Sequence, residues 1–483
     1  MNVATILTLG LIAFCFLRRD NALLYLAFAL LAFGSFSVVP GGTTVLAASL
    51  AFLLLAGKVF MRPGAVQDVM RAMRLRDMGL LVAFMVLAVV WAMVVPRVSG
   101  GDIFVYPMAV GVTSFPARLQ PTSANLNQSV YQVISCAVAL GFYLLARRPR
   151  FADTFLKALL WGSGAVIVTG LADMIGPHIG LTKVLALFRT AAYTFLNGVE
   201  VMGVTRVVGL MPEASAYGAL CVSFGALLLF CRHAYDRSLK PWALGLGVGC
   251  LAFGALSTSS AAIVSLAVAV CVFGADLGSR LVLERKADKR TAFNEILIVA
   301  GLAFLAVLCL AVFDKQRNFM ISIVDSAVFK KSESSSYIER SAWSHQAMKA
   351  FLASGGVGVG VGSVRTSNFF VNIIASTGIF GSILFALFLL RVAFAHVSTV
   401  QAQSAELVRG AKLALVVIFT GLFFVGTVPD YGLLVASLFG AIVGVSRSER
   451  DRLRAPRLTE NMAAETMPVE ASPAPPAAAY LQG

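Results

Sequence analysis

Apolar stretches and charged gaps alternate along the whole chain. Thirteen stretches are read at about 3–17, 22–39, 42–57, 79–95, 129–146, 155–175, 214–231, 241–258, 260–275, 294–313, 369–392, 411–428 and 431–445. Most approach the ~20 residues that cross a ~30 Å hydrocarbon core as helix. The shortest must borrow flanking residues or thin the bilayer locally. Lys and Arg in alternate gaps, helix ends included, number 27 on one side and 12 on the other, and 7 of the 12 share one long loop. Excess Lys and Arg in short loops mark the cytoplasm, so the pattern predicts an outer N-terminus and an inner C-terminus. The expected fold is all-α: a polytopic integral membrane protein whose long loops, and with them its chemistry, lie on the outer face.

Composition sharpens this picture. A mean hydropathy of +0.84 with 13% charged residues excludes a soluble globular domain. The formal charge of +15 is explained by the topological bias, which also favours anionic lipid at the inner leaflet, so nucleic acid is not an expected partner. The cysteines (Cys15, Cys136, Cys221, Cys231, Cys250, Cys271 and Cys309) all fall in or beside apolar stretches and read as small core residues, not metal ligands or disulfides. Arg18 and Arg19 follow the first apolar run instead of preceding it, so that run is expected to persist as a helix and not as a cleaved signal peptide.

One transmembrane domain is expected over 1–445, with outer loops at about 96–128, 176–213 and 314–368. Residues 446–483, a basic stretch followed by an Ala/Pro/Glu-rich segment, are expected to form a disordered cytoplasmic tail. No 20–50-residue repeat and no pair of similar halves is evident.

The candidate chemistry lies in the second and third outer loops. Arg206, Arg340 and Arg365 all lie close to loop–helix junctions, the level at which a lipid pyrophosphate sits. Guanidinium stays charged and offers a planar fork of donors that matches phosphate oxygens. The plainer reading is that each arginine anchors to headgroups or pairs with a nearby acid. In the run 206–218 (RVVGLMPEASAYG), Pro212, Glu213, Ala214 and Ser215 read as a helix start. Glu213 either caps that helix at the positive end of its dipole or stands at a cavity mouth as a base or sugar-hydroxyl ligand. Residues 334–353 read as an amphipathic helix, with Ile338, Trp343, Ala347 and Phe351 on one side. Arg340 and His345 are about 140° apart around that helix and cannot easily address one small site. His345 is a candidate base or simple polar surface. The alternating glycines of 355–368 (GGVGVGVGSVRTSN) follow no strand and lack a phosphate-loop lysine. They read as a tight, exposed backbone that delivers Arg365 to the membrane surface, with amides available for an anion nest.

The order of these segments carries a resemblance. GLMPEAS precedes one helix, LSTSSAAIVSLAVA (256–269) forms the next outer turn, and IERSAWSHQAMKAF and GVGVGSVRTSNFFVNIIASTGIFG precede another. Over roughly 200–392 the chain resembles the O-antigen polymerase/ligase superfamily, nearest to Wzy-type polymerases of bacterial exopolysaccharides. That resemblance implies a fold similar to multi-pass, polyprenyl-dependent (GT-C-like) glycosyltransferases, independent of metal and of any cofactor. It implies a polysaccharide polymerase in the bacterial inner membrane, N-terminus periplasmic and C-terminus cytoplasmic. Its substrate would be an undecaprenyl pyrophosphate-linked oligosaccharide, and a chain-length regulator and a flippase would be partners. Arg206, Arg340 and Arg365 would hold the pyrophosphate, and Glu213 or His345 would serve as base. Ligase-like members often carry a His-Asn pair where this chain has Ser367 and Asn368, which turns the reading away from a glycan ligase. A flippase would carry ionisable residues deep in its helices, whereas Asp173 and its like lie near helix ends.

Overall fold

The computed structural model describes residues 2–18, 21–39, 44–99, 101–108, 115–191, 200–201, 204–283, 293, 295–296, 335–397 and 402–466. The helices are α1 (Val3–Leu17), α2 (Ala22–Leu30), α3 (Ala47–Phe60), α4 (Ala65–Ala72), α5 (Gly79–Val98), α6 (Ser123–Ala146), α7 (Phe151–Ile175), α8 (Thr182–Ala186), α9 (Ala214–Phe230), α10 (Lys240–Leu256), α11 (Ser260–Leu283), α12 (Ser335–Ala353), α13 (Phe369–Ala393), α14 (Ala402–Val425) and α15 (Gly432–Thr466). Two short antiparallel pairs complete the described elements: β1 (Phe104–Val105) with β2 (Ala117–Arg118), and β3 (Glu200–Val201) with β4 (Val204–Thr205). Among the described residues, α5, α6, α7, α11, α13, α14 and α15 as far as Asp451 are long and apolar enough to cross a membrane. The pair α3–α4, bent by 110°, makes an eighth if it is one span. Pro63 and Gly64, the latter at φ 78°, supply that bend. Large apolar side chains such as Trp161, Val168, Phe380 and Phe394 are exposed around the bundle, as lipid contact requires. The chain is an all-α polytopic membrane protein.

Phenylalanine fills the interior. Phe28 meets Phe52, Phe142 and Phe155 with ring centroids 5.4–6.1 Å apart, and Phe439 meets Phe388 at 5.0 Å and Tyr431 at 5.3 Å. Lipid tails are as apolar as these side chains, so close backbone approach must hold the helices together. Gly440 and Gly444 provide it where α15 lies on α6: a Cβ on Gly440 would stand 2.2 Å from the Ala139 carbonyl oxygen, and one on Gly444 2.5 Å from that of Tyr143.

Two expectations change. The stretch 22–39 is helical only to Leu30 and then turns back, with Ser37 bridging Leu46. Its serines explain the break. Ser35 N–H donates to the Leu210 carbonyl, the Ser35 carbonyl accepts from Thr190 and Ala191 N–H, and Ser37 N–H donates to Thr190 Oγ1, so another loop satisfies the backbone that a helix would have satisfied itself. The segment expected to be disordered from 446 is helical in backbone to Thr466. Buried Ser446 and Glu449 and the pairs Arg447–Asp451 (3.1 Å) and Arg147–Asp451 (3.3 Å) hold its first turns against α6. Stretch 294–313 lies outside the described residues apart from 295 and 296, as do 314–334, 467–483 and Cys309.

The two ends of the bundle differ in charge chemistry. At the C-terminal ends of α9 and α11 and the start of α14, Arg232 pairs with Asp276 (3.2 Å) and Glu295 (2.7 Å), Arg280 with Glu406 (2.7 Å), and Arg409 with Asp276 (2.8 Å). Arg232 and Asp276 are each 1% exposed in their side chains. Arginines counted above as topological signals are therefore also internal clamps, and a buried clamp of this kind is costly to break from one side. The other end, where α9, α11 and α13 begin, holds the candidate site.

Candidate functional site

Asp173, near the end of α7, builds the approach to Arg206. One carboxylate oxygen accepts from Arg189 at 2.8 Å, and the other accepts from the backbone N–H groups of Val208 (2.8 Å) and Gly209 (3.0 Å). Gly209 (φ 59°) turns the chain against Tyr217, where a Cβ would come within 2.8 Å of the ring. Arg206 is thereby presented to the turn between α10 and α11, and its Nε donates to the Ser257 carbonyl at 3.2 Å. Next to that contact Thr258 holds φ 49°, and its Oγ1 is buried with no hydrogen-bond partner among the described residues.

Glu213 is the N-cap residue of α9 by position, with extended backbone, but its side chain makes no capping hydrogen bond. Its carboxylate instead accepts from the Ser215 hydroxyl and stands 3.8 Å from Arg340. Glu213 thus holds the cap position in backbone while its side chain is turned to Ser215 and Arg340. Arg340 projects from the first turns of α12, which turns Trp343, Ala347 and Ala350 inward. Ile338, expected on that apolar side, is exposed instead.

Arg365 arrives from the glycine segment, and here the expectation of an exposed loop is wrong. Residues 358–364 are buried. Gly356, Gly358, Gly360 and Gly362 all hold φ between 82° and 92°, a region open to glycine and closed to most residues. The lack of Cβ atoms lets this backbone press against other backbones: a Cβ on Gly358 would lie 2.6 Å from Gly378 N, one on Gly360 2.8 Å from Trp91 O, and one on Gly362 2.4 Å from Ala124 O. The opposite partner is a kink in α13 at Gly378 (φ 66°, ψ −166°). Carbonyls of Ala375 and Ser376 freed by the kink accept from Val359 N–H (2.8 Å) and Gly360 N–H (3.0 Å), and Ile379 N–H returns a bond to Gly356 O (3.0 Å). These amides are spent inside the protein, not on an anion nest. Irregular backbone of this kind is tolerated at membrane depth only when protein satisfies it. Asn125 of α6 adds bonds to Val361 O (2.7 Å) and Ser363 Oγ (2.8 Å).

Past this rigid insert, Arg365 N–H donates to Tyr106 O at 2.8 Å, and the guanidinium lies 4.0 Å from the centre of the Trp343 ring. Cation–π contact of this sort fixes the plane of the fork. A cleft of about 230 Å³ lined by Tyr106, Ile338, Glu339, Ala342 and Trp343 opens beside it.

Arg206 and Glu213 of one segment, Arg340 of α12 and Arg365 of the glycine segment therefore come from three separate parts of the chain to one place. Burial, and after it the neighbouring Arg340 charge, lower the pKa of Arg206; burial and Arg340 do the same at Arg365. Glu213 acts in the opposite sense on both, and Glu339 on Arg365. Among the described residues three guanidiniums face two carboxylates, an excess of positive charge in a half-buried setting, which favours an anion. Ser367, which donates to Arg340 O at 3.4 Å, adds a hydroxyl at the edge. His345 is exposed on α12, and among the described residues no contact joins it to the cluster. Asp173, Ser257, Thr258 and Trp343 complete the site; of these only the Ser257–Thr258 turn and Trp343 lay in segments already singled out. Among the described residues no group of three His, Cys, Asp or Glu side chains comes together as a metal site. No family model matches the chain, and no curated protein is detectably similar to it.

Proposed function

We propose that this membrane protein is a polysaccharide polymerase of the bacterial inner membrane. It transfers a growing glycan from undecaprenyl pyrophosphate to the sugar hydroxyl of a lipid-linked repeat unit on the outer face. One observation carries the reading: the convergence of Arg206, Arg340 and Arg365 at one end of the bundle with, among the described residues, Glu213 and Glu339 against them. In the transfer, the acceptor oxygen bonds to the anomeric carbon while that carbon's bond to the pyrophosphate oxygen breaks. The electron pair leaves with undecaprenyl pyrophosphate, and the guanidiniums stabilise the charge as it develops, commonly the largest single catalytic effect. The hydroxyl proton goes to a carboxylate, for which Glu213 is the base within the cluster. His345, set apart from the cluster, is the second candidate.

The reading keeps thirteen crossings, a periplasmic N-terminus and a cytoplasmic C-terminus. In its favour, Arg147, Arg232, Arg280, Arg391, Arg409 and Arg447 all lie at the helix ends opposite the cluster, as the positive-inside bias expects of the cytoplasmic side.

A deletion strain tests it. Loss of a polymerase leaves single repeat units on lipid, open to an external glycosidase, while long polymer disappears. Long glycan accumulating on lipid would instead mark a ligase, and single units shielded on the inner leaflet a flippase.

A further inference from the structure

A second polar site lies between α6 and the loop that joins α14 to α15. Gln132, Ser135 and Cys136 share one face of α6, three and four positions apart; Ser135 of that face meets Asp430, and Cys136 and Asp430 both lie close enough to Tyr431 to act on its hydroxyl. Ser135 bonds the Asp430 carboxylate, which also accepts from Gly432 N–H at the start of α15. The other carboxylate oxygen, Oδ1, is buried with no hydrogen-bond partner among the described residues. So are both polar atoms of Gln132, which is 0% exposed, and the hydroxyl of Tyr431, which is 2% exposed. Four unpartnered polar atoms on three residues, one of them on the α6 face that meets Asp430, are rare in a folded protein, where such groups nearly always find partners.

The chemistry of the set selects its ligand. Its donors are a carboxylate, an amide oxygen, a phenol and a serine hydroxyl, all hard oxygens suited to a hard cation and not to a soft metal. Burial is the main influence on Asp430 and pushes its carboxyl up to about 6; no cationic side chain of the described residues acts on it. A single carboxylate in a low-dielectric setting balances one positive charge, whereas a divalent ion would leave an uncompensated charge behind. A partly hydrated ion also meets the Gln132 Nε2–H, which needs an oxygen acceptor that its own water supplies. The seam is tied to the arginine cluster: Asn372 donates to Thr427 O (2.8 Å) and to Thr366 Oγ1 (3.1 Å), beside Arg365.

We propose that Asp430, Gln132, Ser135 and Tyr431 form a buried site for one monovalent cation, sodium, that locks the α14–α15 loop onto α6. This site is distinct from the arginine cluster, and the inference stands whether or not the protein is a polymerase.

The test uses the purified full-length protein in detergent, with thermal unfolding followed as sodium chloride replaces N-methyl-D-glucamine chloride at constant ionic strength. Saturable stabilisation by sodium is expected, as for any ligand that binds only the folded state. Asp430→Asn should abolish the sodium response while remaining folded without sodium, because the buried charge is gone. Gln132→Leu and Tyr431→Phe keep the carboxylate and should raise the half-saturating sodium concentration at least about tenfold, the loss of one good ligand contact. They also serve if Asp430→Asn fails to fold. Equal stability in both salts overturns the site, as does an undiminished sodium response in these variants. A transition that moves with pH but not with sodium also overturns it, since a proton would then neutralise Asp430; Tyr131, Tyr431 and Cys136 are the other titratable groups around it.

Discussion

Arg340→Lys and Arg365→Lys should each lower polymer synthesis by about 100-fold or more, the usual effect of losing a preorganised donor to a developing anion, with protein level unchanged. Lysine keeps the charge but loses the planar, bidentate fork. At Arg365 it also loses the face-on contact with Trp343, whose ring centre lies 4.0 Å from the guanidinium. Arg206→Lys should behave alike, since its Nε contact with Ser257 O orients a fork that lysine lacks. Anchoring to headgroups predicts the reverse pattern, because at a membrane surface lysine serves as well as arginine. Polymer measured per cell against immunoblotted protein separates the two, and full activity in both single variants rules out a pyrophosphate clamp.

Gly378→Ala should destabilise the protein by about 3 kcal/mol or more, since its φ and ψ lie where only glycine is at ease and side-chain overpacking adds to the strain. A Cβ there would stand 2.1 Å from the Val357 carbonyl oxygen and 2.4 Å from its carbon. Neither backbone can retreat, because each satisfies the other's hydrogen bonds. Gly164→Ala is the control: it lies in α7 with nothing within 4 Å of the added Cβ, so a helix-favouring change of up to ~1 kcal/mol is expected. Thermal unfolding in detergent measures both. A Gly378→Ala protein as stable as the wild type would mean that the kink and the glycine insert are not locked together.

The membrane fold is legible in the sequence because the bilayer demands long apolar helices and punishes charge within them. Arg206, Arg340 and Arg365 are legible for a related reason: an arginine at a loop–helix junction has few purposes, and three of them invite one explanation. Other features depend on contacts between distant segments, which no local pattern encodes. Asp173 looks like an acid near a helix end, yet it fastens Val208 and Gly209 and so aims Arg206. The glycines of 356–362 read as a tight, exposed backbone, because alternation alone does not say which backbone will press against them and bury it. Ser35 and Ser37 sit in an apolar run that reads as one helix until the partners that unwind it, Thr190, Ala191 and Leu210, come into view. Gln132 and Asp430 are polar residues inside or beside apolar stretches, and only the fold brings Asp430 onto Ser135, on the α6 face that Gln132 shares.

Reconstitution of the purified protein in liposomes with its lipid-linked repeat units tests the central claim most directly. Glycan length and free undecaprenyl pyrophosphate are measured together. The account predicts that each new glycosidic bond releases one undecaprenyl pyrophosphate, and that Arg340→Lys suppresses both signals in parallel. Repeat units that cross the bilayer without lengthening, or glycan that lengthens normally in Arg340→Lys, would contradict it.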